Sequence, residues 1–207
     1  MMTSSSQPIT YVIDDDKAVR ESLRWLIESV GLPVETYGSA RDFLTSFSNQ
    51  RPGCIVLDVR MPEISGLELQ EHLSANHVQI PIIIITGHGD VPMAVRALKN
   101  GAVDFIEKPF NDQALLDRIQ HALQQDTENR NKQAALGEAK EGLAHLTKRE
   151  HEVLDRVIAG ESSKRIAADL GLSTKTVEAH RAKIMQKLHV KSVAELVRVT
   201  VACRESR

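Results

Sequence analysis

ITYVIDDDKAVRESLRWLIESVG, residues 9–31, decides how the rest of the chain is read. Its first five residues form a mostly apolar run that reads as extended chain. Three consecutive carboxylates follow, Asp14, Asp15 and Asp16, packed closely enough to repel one another. Val19, Leu23, Leu26, Ile27 and Val30 then recur at the spacing of one helix face, and Gly31 suits the end of that helix. The unit is therefore strand, acidic turn, helix.

The unit repeats. PVETY (33–37), GCIVL (53–57), PIIII (81–85) and VDFI (103–106) read as four further strands with amphipathic stretches between them. CIVL and IIII are apolar throughout, as parallel strands covered on both faces must be. Strand and helix alternating five times predicts an α/β doubly wound, five-stranded parallel sheet, flavodoxin-like in architecture. Ligands of such sheets bind at the carboxyl ends of the strands, near a switch in strand order. The three acids stand there.

The composition, 42% hydrophobic and 26% charged, is that of a globular protein. No apolar run approaches the roughly 18 residues of a membrane span. MMTSSSQPIT lacks the basic start and apolar stretch of a secretory signal, so a cytoplasmic protein with no membrane partner is expected. Cys54 and Cys203 are too few for a disulfide framework or a Cys-rich zinc site, and Cys54, in an apolar run, reads as a small buried hydrophobe. The formal charge of −2 hides an asymmetry: residues 1–141 carry net −7 and residues 142–207 net +5. Nucleic acid is a candidate partner for the basic part.

The sheet's last helix is expected to start near Asn111, with Leu115, Leu116, Ile119, Ala122 and Leu123 inward. The polar run QQDTENRNKQ follows. With no Gly or Pro before Gly137, the helix is expected to continue to about residue 138. This divides the chain into residues 1–126, a helical extension or linker over 127–142, and a second domain over 143–207. That domain contains short helices only. LTKREHEVL places Thr147 three residues before Glu150, a capping box, and Ser192 with Glu195 repeats the spacing. SKRIAADLGLSTKTVEAHRAKIMQKL reads as helix, turn at Gly171, longer helix, so a small all-α four-helix helix-turn-helix domain is predicted. On the longer helix Val177, Ile184 and Leu188 share one side. Lys175, Glu178, Ala179, Ala182 and Gln186 fall broadly opposite. Small residues there allow close approach to base edges; Ala suits a thymine methyl and Glu178 suits the cytosine amino group. Thr174, Lys175, Thr176, Arg181 and Lys183 suit contacts along the phosphate backbone.

At the other strand ends stand Asp58, Thr86 and Lys108, so clustered carboxylates, a hydroxyl and an ammonium converge on one edge. Carboxylate oxygens suit Mg²⁺ or another divalent cation, with waters and a phosphate completing its shell. A carboxylate can attack a phosphoryl group and form an acyl phosphate, while metal and Lys offset the charge. A Thr hydroxyl can donate a hydrogen bond to the new phosphoryl oxygen.

The paired acids after the first strand, LDVRMPEISG (57–66), Thr86 and KPF (108–110) together resemble a response-regulator receiver domain of the CheY type over roughly residues 8–125. The resemblance implies Asp58 as phospho-acceptor and Asp14, Asp15, Asp58 and the Arg60 carbonyl as metal ligands. It implies Thr86 and Lys108 as readers of the phosphoryl group, and a cis peptide before Pro109. Phe105 takes the place of the switch aromatic, without a tyrosine hydroxyl. Arg60 and His88 border the route of the attacking water and are expected to tune the acyl phosphate's lifetime. Asp16 is left to cap the next helix. The switched surface, Pro92–Asn100 with Val103–Ile106, is the expected dimer face.

Residues 143–203 resemble the LuxR-type helix-turn-helix. This implies a recognition helix within Ser173–Leu188, base contacts from Glu178, Ala179 and Ala182, and a second dimer face on the last helix through Leu196, Val199 and Ala202. Receiver plus this output domain resembles the NarL/FixJ class, leaning toward FixJ. The implied function is a phosphorylation-controlled transcription factor, an activator, homodimeric when phosphorylated. Its expected partners are promoter DNA, a sensor histidine kinase and RNA polymerase. It is not expected to be an enzyme. Two alternatives from other classes stand beside it. An aspartate-nucleophile phosphatase would need a pocket-building insertion, and the connections here are short. A constitutive DNA-binding protein whose receiver only dimerises would not need the complete acid, Thr and Lys set.

Overall fold

A computed structural model describes residues 7–87 and 91–205. The chain divides into two compact units between Arg130 and Asn131. In the first, the strands are β1 (Ile9–Ile13), β2 (Val34–Tyr37), β3 (Gly53–Asp58), β4 (Ile82–Thr86) and β5 (Asp104–Glu107). Between and after them run α1 (Lys17–Ser29), α2 (Ala40–Ser46), α3 (Gly66–Ala75), α4 (Val91–Lys99) and the start of α5 (Asp112–Ala144), which continues past Arg130 into the second unit. The sheet is parallel, in the order β2-β1-β3-β4-β5. Strand order reverses between β1 and β3, so the crevice of the doubly wound fold opens after Ile13 and Asp58.

Period-two alternation sends the strand residues to two cores. Tyr11, Ile13, Ile55, Leu57 and Ile84 face Phe43, Leu69, Leu73 and Ala97 of α2, α3 and α4. Val12, Cys54, Val56, Ile83 and Ile85 face Leu23, Ile27, Leu115 and Ile119 of α1 and α5. Both faces are covered, which is why CIVL and IIII carry no polar residue. The helical face expected in α1 is present, except that Val30 is its exposed C-cap residue.

The expected end of α5 near residue 138 is wrong: the helix runs to Ala144 through Gly137 and Gly142. Helix propensity penalises Gly by about 1 kcal/mol, but packing overrides it. At Gly142 a Cβ would lie 2.3 Å from the Lys187 carbonyl oxygen, so only glycine permits this close approach. The polar run is also not simply solvated. Asp126 is buried; its Oδ2 accepts from the Gly53 N–H at 2.9 Å and from Arg130 Nε at 2.7 Å. Arg130 reaches on to the carbonyl and side chain of Asn49.

The second unit holds α6 (Lys148–Ile158), α7 (Ser163–Leu170), α8 (Thr174–Lys187) and α9 (Val193–Glu205). Val153, Leu154, Val157, Ile166, Val177, Ile184, Leu188 and Leu196 form its core. The Thr147–Glu150 capping box is complete. The one expected at Ser192 is half made: Ser192 Oγ accepts from the Glu195 N–H, while Glu195 accepts from the Lys191 N–H instead. Of the three residues expected at an α9 dimer face, Leu196 is corrected: it is buried in the domain's own core, while Val199, packed against that core, and Ala202 are half-buried. The exposed valines of α9 are Val193 and Val201. Among the described residues no helix is long and apolar enough to cross a membrane.

Candidate phosphoryl-acceptor site and nucleic-acid interface

β1 ends at Ile13 and β3 at Asp58, neighbouring strands whose register pairs Ile13 with Leu57. Asp14 and Asp58 therefore meet at the crevice, both buried. Lys108 arrives from the end of β5. Its Nζ lies 2.7 Å from Asp14 Oδ2 and 2.8 Å from Asp58 Oδ1, bridging the two carboxylates. Lys108–Pro109 is cis, as the family resemblance implies. The Lys108 N–H donates to the Thr86 carbonyl at 2.7 Å, which fixes the Lys to the end of β4. Thr86 itself is buried there.

The remaining carboxylate oxygens are also occupied. Asp14 Oδ1 accepts from the Asp16 N–H at 2.9 Å, and Asp58 Oδ2 from the Arg60 N–H at 2.7 Å. Burial raises the Asp14 carboxyl above its ordinary pKa, although the Lys108 and Asp16 hydrogen bonds pull the other way. Burial also acts to lower the Lys108 ammonium. Its hydrogen bonds to Asp14 and Asp58 outweigh that, and its pKa stands above the ordinary value.

The three acids have separated. Asp14 is buried in the site, Asp15 is exposed beside it, and Asp16 caps α1, accepting from the Ala18 and Val19 N–H groups. Among the described residues no group of three or more His, Cys, Asp or Glu is gathered as a metal cluster. Asp14 and Asp58 come together and Asp15 does not join them. Two buried oxygen donors still fit Mg²⁺, which is held by one or two carboxylates, retains waters and takes phosphate oxygens. Arg60 is exposed; His88 lies outside the described residues. Phe105 is half-buried against the α2–α4 core.

A residue whose role was not read from sequence is Gly66, which ends LDVRMPEISG. A Cβ there would lie 2.1 Å from the Asp58 carbonyl oxygen, and the Gly66 N–H bonds the Val59 carbonyl at 2.9 Å. The first turn of α3 packs directly on the backbone of Asp58, so a side chain at 66 would displace it.

In the second unit, α7 and α8 are joined through Gly171, which adopts φ +64°. Ser173 caps α8, accepting from the Thr176 N–H, and its hydroxyl lies 2.8 Å from that of Thr176. Val177, Ile184 and Leu188 are buried, while Thr174, Lys175, Glu178, Ala179, Ala182 and Lys183 are exposed, as the wheel requires. Arg181 is largely withdrawn: its Nη1 donates to Ser163 Oγ at 2.6 Å. The same hydroxyl donates to Glu178 Oε1, a link invisible to helical periodicity.

Residues 10–120 match the response regulator receiver domain, and residues 144–200 match the luxR family of bacterial regulatory proteins. The response regulator protein TodT of Pseudomonas putida F1 is 46% identical over 203 residues, 98% of this chain and 89% of TodT. The transcriptional regulatory protein FixJ of Azorhizobium caulinodans is 47% identical over 191 residues, 92% of this chain and 90% of FixJ. Among solved structures, response regulator StyR superposes with a TM-score of 0.80 at 47% identity, covering 95% of this chain and all of that one. Full-length FixJ from B. japonicum superposes with a TM-score of 0.59 at 41% identity, covering 98% and 99%. The receiver class binds Mg²⁺ at its phospho-aspartate site, and the family works with a kinase, promoter DNA and dimerisation. The crevice and the helical pair are thus the two halves of one signalling device, and the chain belongs to the NarL/FixJ family of two-component response regulators, phosphorylation-dependent DNA-binding transcriptional regulators rather than enzymes.

Proposed function

We propose that Asp58 is the phospho-acceptor of a receiver domain over residues 1–126, and that its acyl phosphate drives dimerisation and promoter binding by the domain over residues 143–207. The observation that carries this reading is Lys108 Nζ bridging Asp14 and Asp58 at the strand switch point. An Asp58 oxygen bonds to phosphorus as the bond from phosphorus to the nitrogen of the kinase's phosphohistidine breaks. Asp14, Asp15, Asp58 and the Arg60 carbonyl would hold Mg²⁺, which supplies charge neutralisation for the phosphoryl oxygens. Lys108 is positioned to transfer its ammonium contact from Asp58 to the incoming phosphoryl group, and Thr86 to donate its hydroxyl. Arg60 and His88 would set the lifetime of the product.

Thr86 moving toward the phosphoryl group opens space for Phe105, which lacks a hydroxyl and so responds through packing alone. The α4–β5 surface is apolar at Val91, Val95, Leu98 and Val103, all exposed. This is the surface we assign to the phosphorylated homodimer. The exposed face of α8 is assigned to the major groove. Glu178, Ala179 and Ala182 would read bases, while Thr174, Lys175, Thr176 and Lys183 would lie along the backbone; Arg181, expected there too, is instead turned toward Ser163. The regulator is assigned as an activator acting with RNA polymerase.

Selection of bound genomic DNA by wild type and Asp58→Asn, with and without acetyl phosphate, tests the reading. Paired half-sites recovered by wild type only after acetyl phosphate are expected. Equal recovery by both proteins, with or without the phosphodonor, would replace it with constitutive binding.

A further inference from the structure

ESSKR, residues 161–165, holds two adjacent serines with different tasks. Ser162 is the N-cap of α7, its Oγ accepting from the Arg165 N–H. Ser163 is thereby relieved of capping. It is buried, and its hydroxyl faces α8 rather than its own helix. A serine hydroxyl has one proton and accepting lone pairs. Here the proton goes to Glu178 Oε1, and Arg181 Nη1 donates to the oxygen at 2.6 Å. Arg181 Nη1 lies 3.8 Å from Glu178 Oε1, which closes a three-membered network across the two helices of the helix-turn-helix.

The network is asymmetric. The Glu178 side chain is 57% exposed and that of Arg181 only 21%. Glu178 thus presents its carboxylate outward from a buried anchor, with Arg181 behind it. A long acidic side chain on a DNA-facing helix has two handicaps. It must lose rotamer freedom before it can read a base, and its charge is repelled by the phosphates. Ser163 meets the first by holding one carboxylate oxygen, leaving the other as acceptor. Arg181 meets the second by placing a cation beside it. Both bonds are part-buried between the two helices, so they are less screened than at a fully open surface.

We propose that Ser163 is a specificity-determining positioning residue. It lies outside the reading helix and touches no base, yet it fixes the orientation in which Glu178 presents its acceptor oxygen to the amino group of a cytosine. Arg181 completes this buttress and is not primarily a phosphate ligand. The inference rests on the assignment of α8 as the reading helix.

The test uses the full chain treated with acetyl phosphate and the DNA site selected by wild type. Binding is measured to that site and to every single-base variant of it. Glu178→Gln is expected to lose its preference at one base-pair position in each half-site. Ser163→Ala should lose preference at that same position by roughly tenfold, the usual worth of one good base contact. Its salt dependence should be unchanged, because the number of phosphate contacts is unchanged. Ser163→Thr keeps a hydroxyl and should retain the preference. Arg181→Gln alters the third corner from α8, leaving the α7 sequence intact, and should disturb the same position. Ser163→Ala retaining full preference where Glu178→Gln loses it would overturn the positioning role while leaving the assignment of α8 intact. Ser163→Ala weakening every sequence by one common factor would also overturn it, by showing a purely structural role. Glu178→Gln leaving every preference unaltered would overturn the assignment of Glu178 as a base reader, and the proposal with it.

Discussion

Glu150→Gln tests whether an ion pair between α6 and α8 holds α8 in place. Glu150 is 3% exposed. Its Oε2 accepts from Lys187 Nζ at 2.7 Å, from the Thr147 N–H at 2.8 Å and from the Thr147 hydroxyl at 3.0 Å. The Lys187 hydrogen bond, followed by the Thr147 N–H, lowers its carboxyl from 4.5 to about 2. At about 1.4 kcal/mol per pKa unit this gap corresponds to about 3 kcal/mol of folding stability. Lys187 keeps a third of its side chain in water, so screening reduces the figure to about 2 kcal/mol. Because the folded-state pKa is depressed, the increment is complete above about pH 4.5 and fades as pH falls toward 2. Gln fills the same space and can still accept from the Thr147 N–H, but it gives Lys187 no charge. The assay is amide hydrogen exchange in α6 and α8 of the whole chain, because two compact units need not unfold together. Protection in both helices should fall roughly thirtyfold at pH 7, the equivalent of about 2 kcal/mol, and the deficit should shrink steadily below pH 4.5. Equal protection at pH 7, or a deficit that does not change with acid, would refute the reasoning.

Three further outcomes are expected. Lys108→Met removes the cation that bridges Asp14 and Asp58, so calorimetric titration should show Mg²⁺ binding several-fold tighter; unchanged or weaker binding would mean that Lys108 does not oppose the metal. Cys54 is fully buried and burial pushes its thiol up to about 12, so it stays protonated at pH 8; in a Cys203→Ser background it should resist a disulfide reagent until guanidinium is added, and rapid labelling of the native chain would contradict this. Leu196→Asp buries an unpaired charge and should cost more than about 3 kcal/mol, whereas Val201→Asp, on the exposed side of α9, should melt within a few degrees of wild type; equal losses would invalidate the corrected orientation of α9.

The receiver was legible because its signals are local and periodic. A strand buried on both faces has to be apolar throughout, and CIVL and IIII are. Asp58, Thr86 and Lys108 were found by reading the residue at or just after each strand's end, and the parallel sheet brings those ends together. Asp16 was separable from its neighbours because a helix start requires a side-chain acceptor. Asp15 was less legible. Its place in the chain predicts metal contact, yet the structure leaves it exposed while Lys108 occupies the gap between the other two acids. On α8 the wheel separated buried from exposed residues correctly. It carried no information about which exposed side chains were already engaged.

By itself the sequence determined the strand–helix alternation, the two-part organisation, the groups standing at the strand ends, and the buried and exposed sides of α8, because each is encoded in neighbours along one element. Only the tertiary structure decided where contacts between elements override that local code. Gly142 sits inside a helix because the Lys187 carbonyl passes 2.3 Å from where its Cβ would be. Gly66 is required by the backbone of Asp58 rather than by its own turn. Leu196 and Val199 turn inward because α9 packs on its own domain's core. Ser162 and Ser163, adjacent and chemically identical, differ because one hydroxyl meets its own helix's N–H groups and the other meets Glu178 and Arg181 across the turn. Such partners are distant along the chain, and a periodic pattern records the side a residue faces but not the atom waiting there.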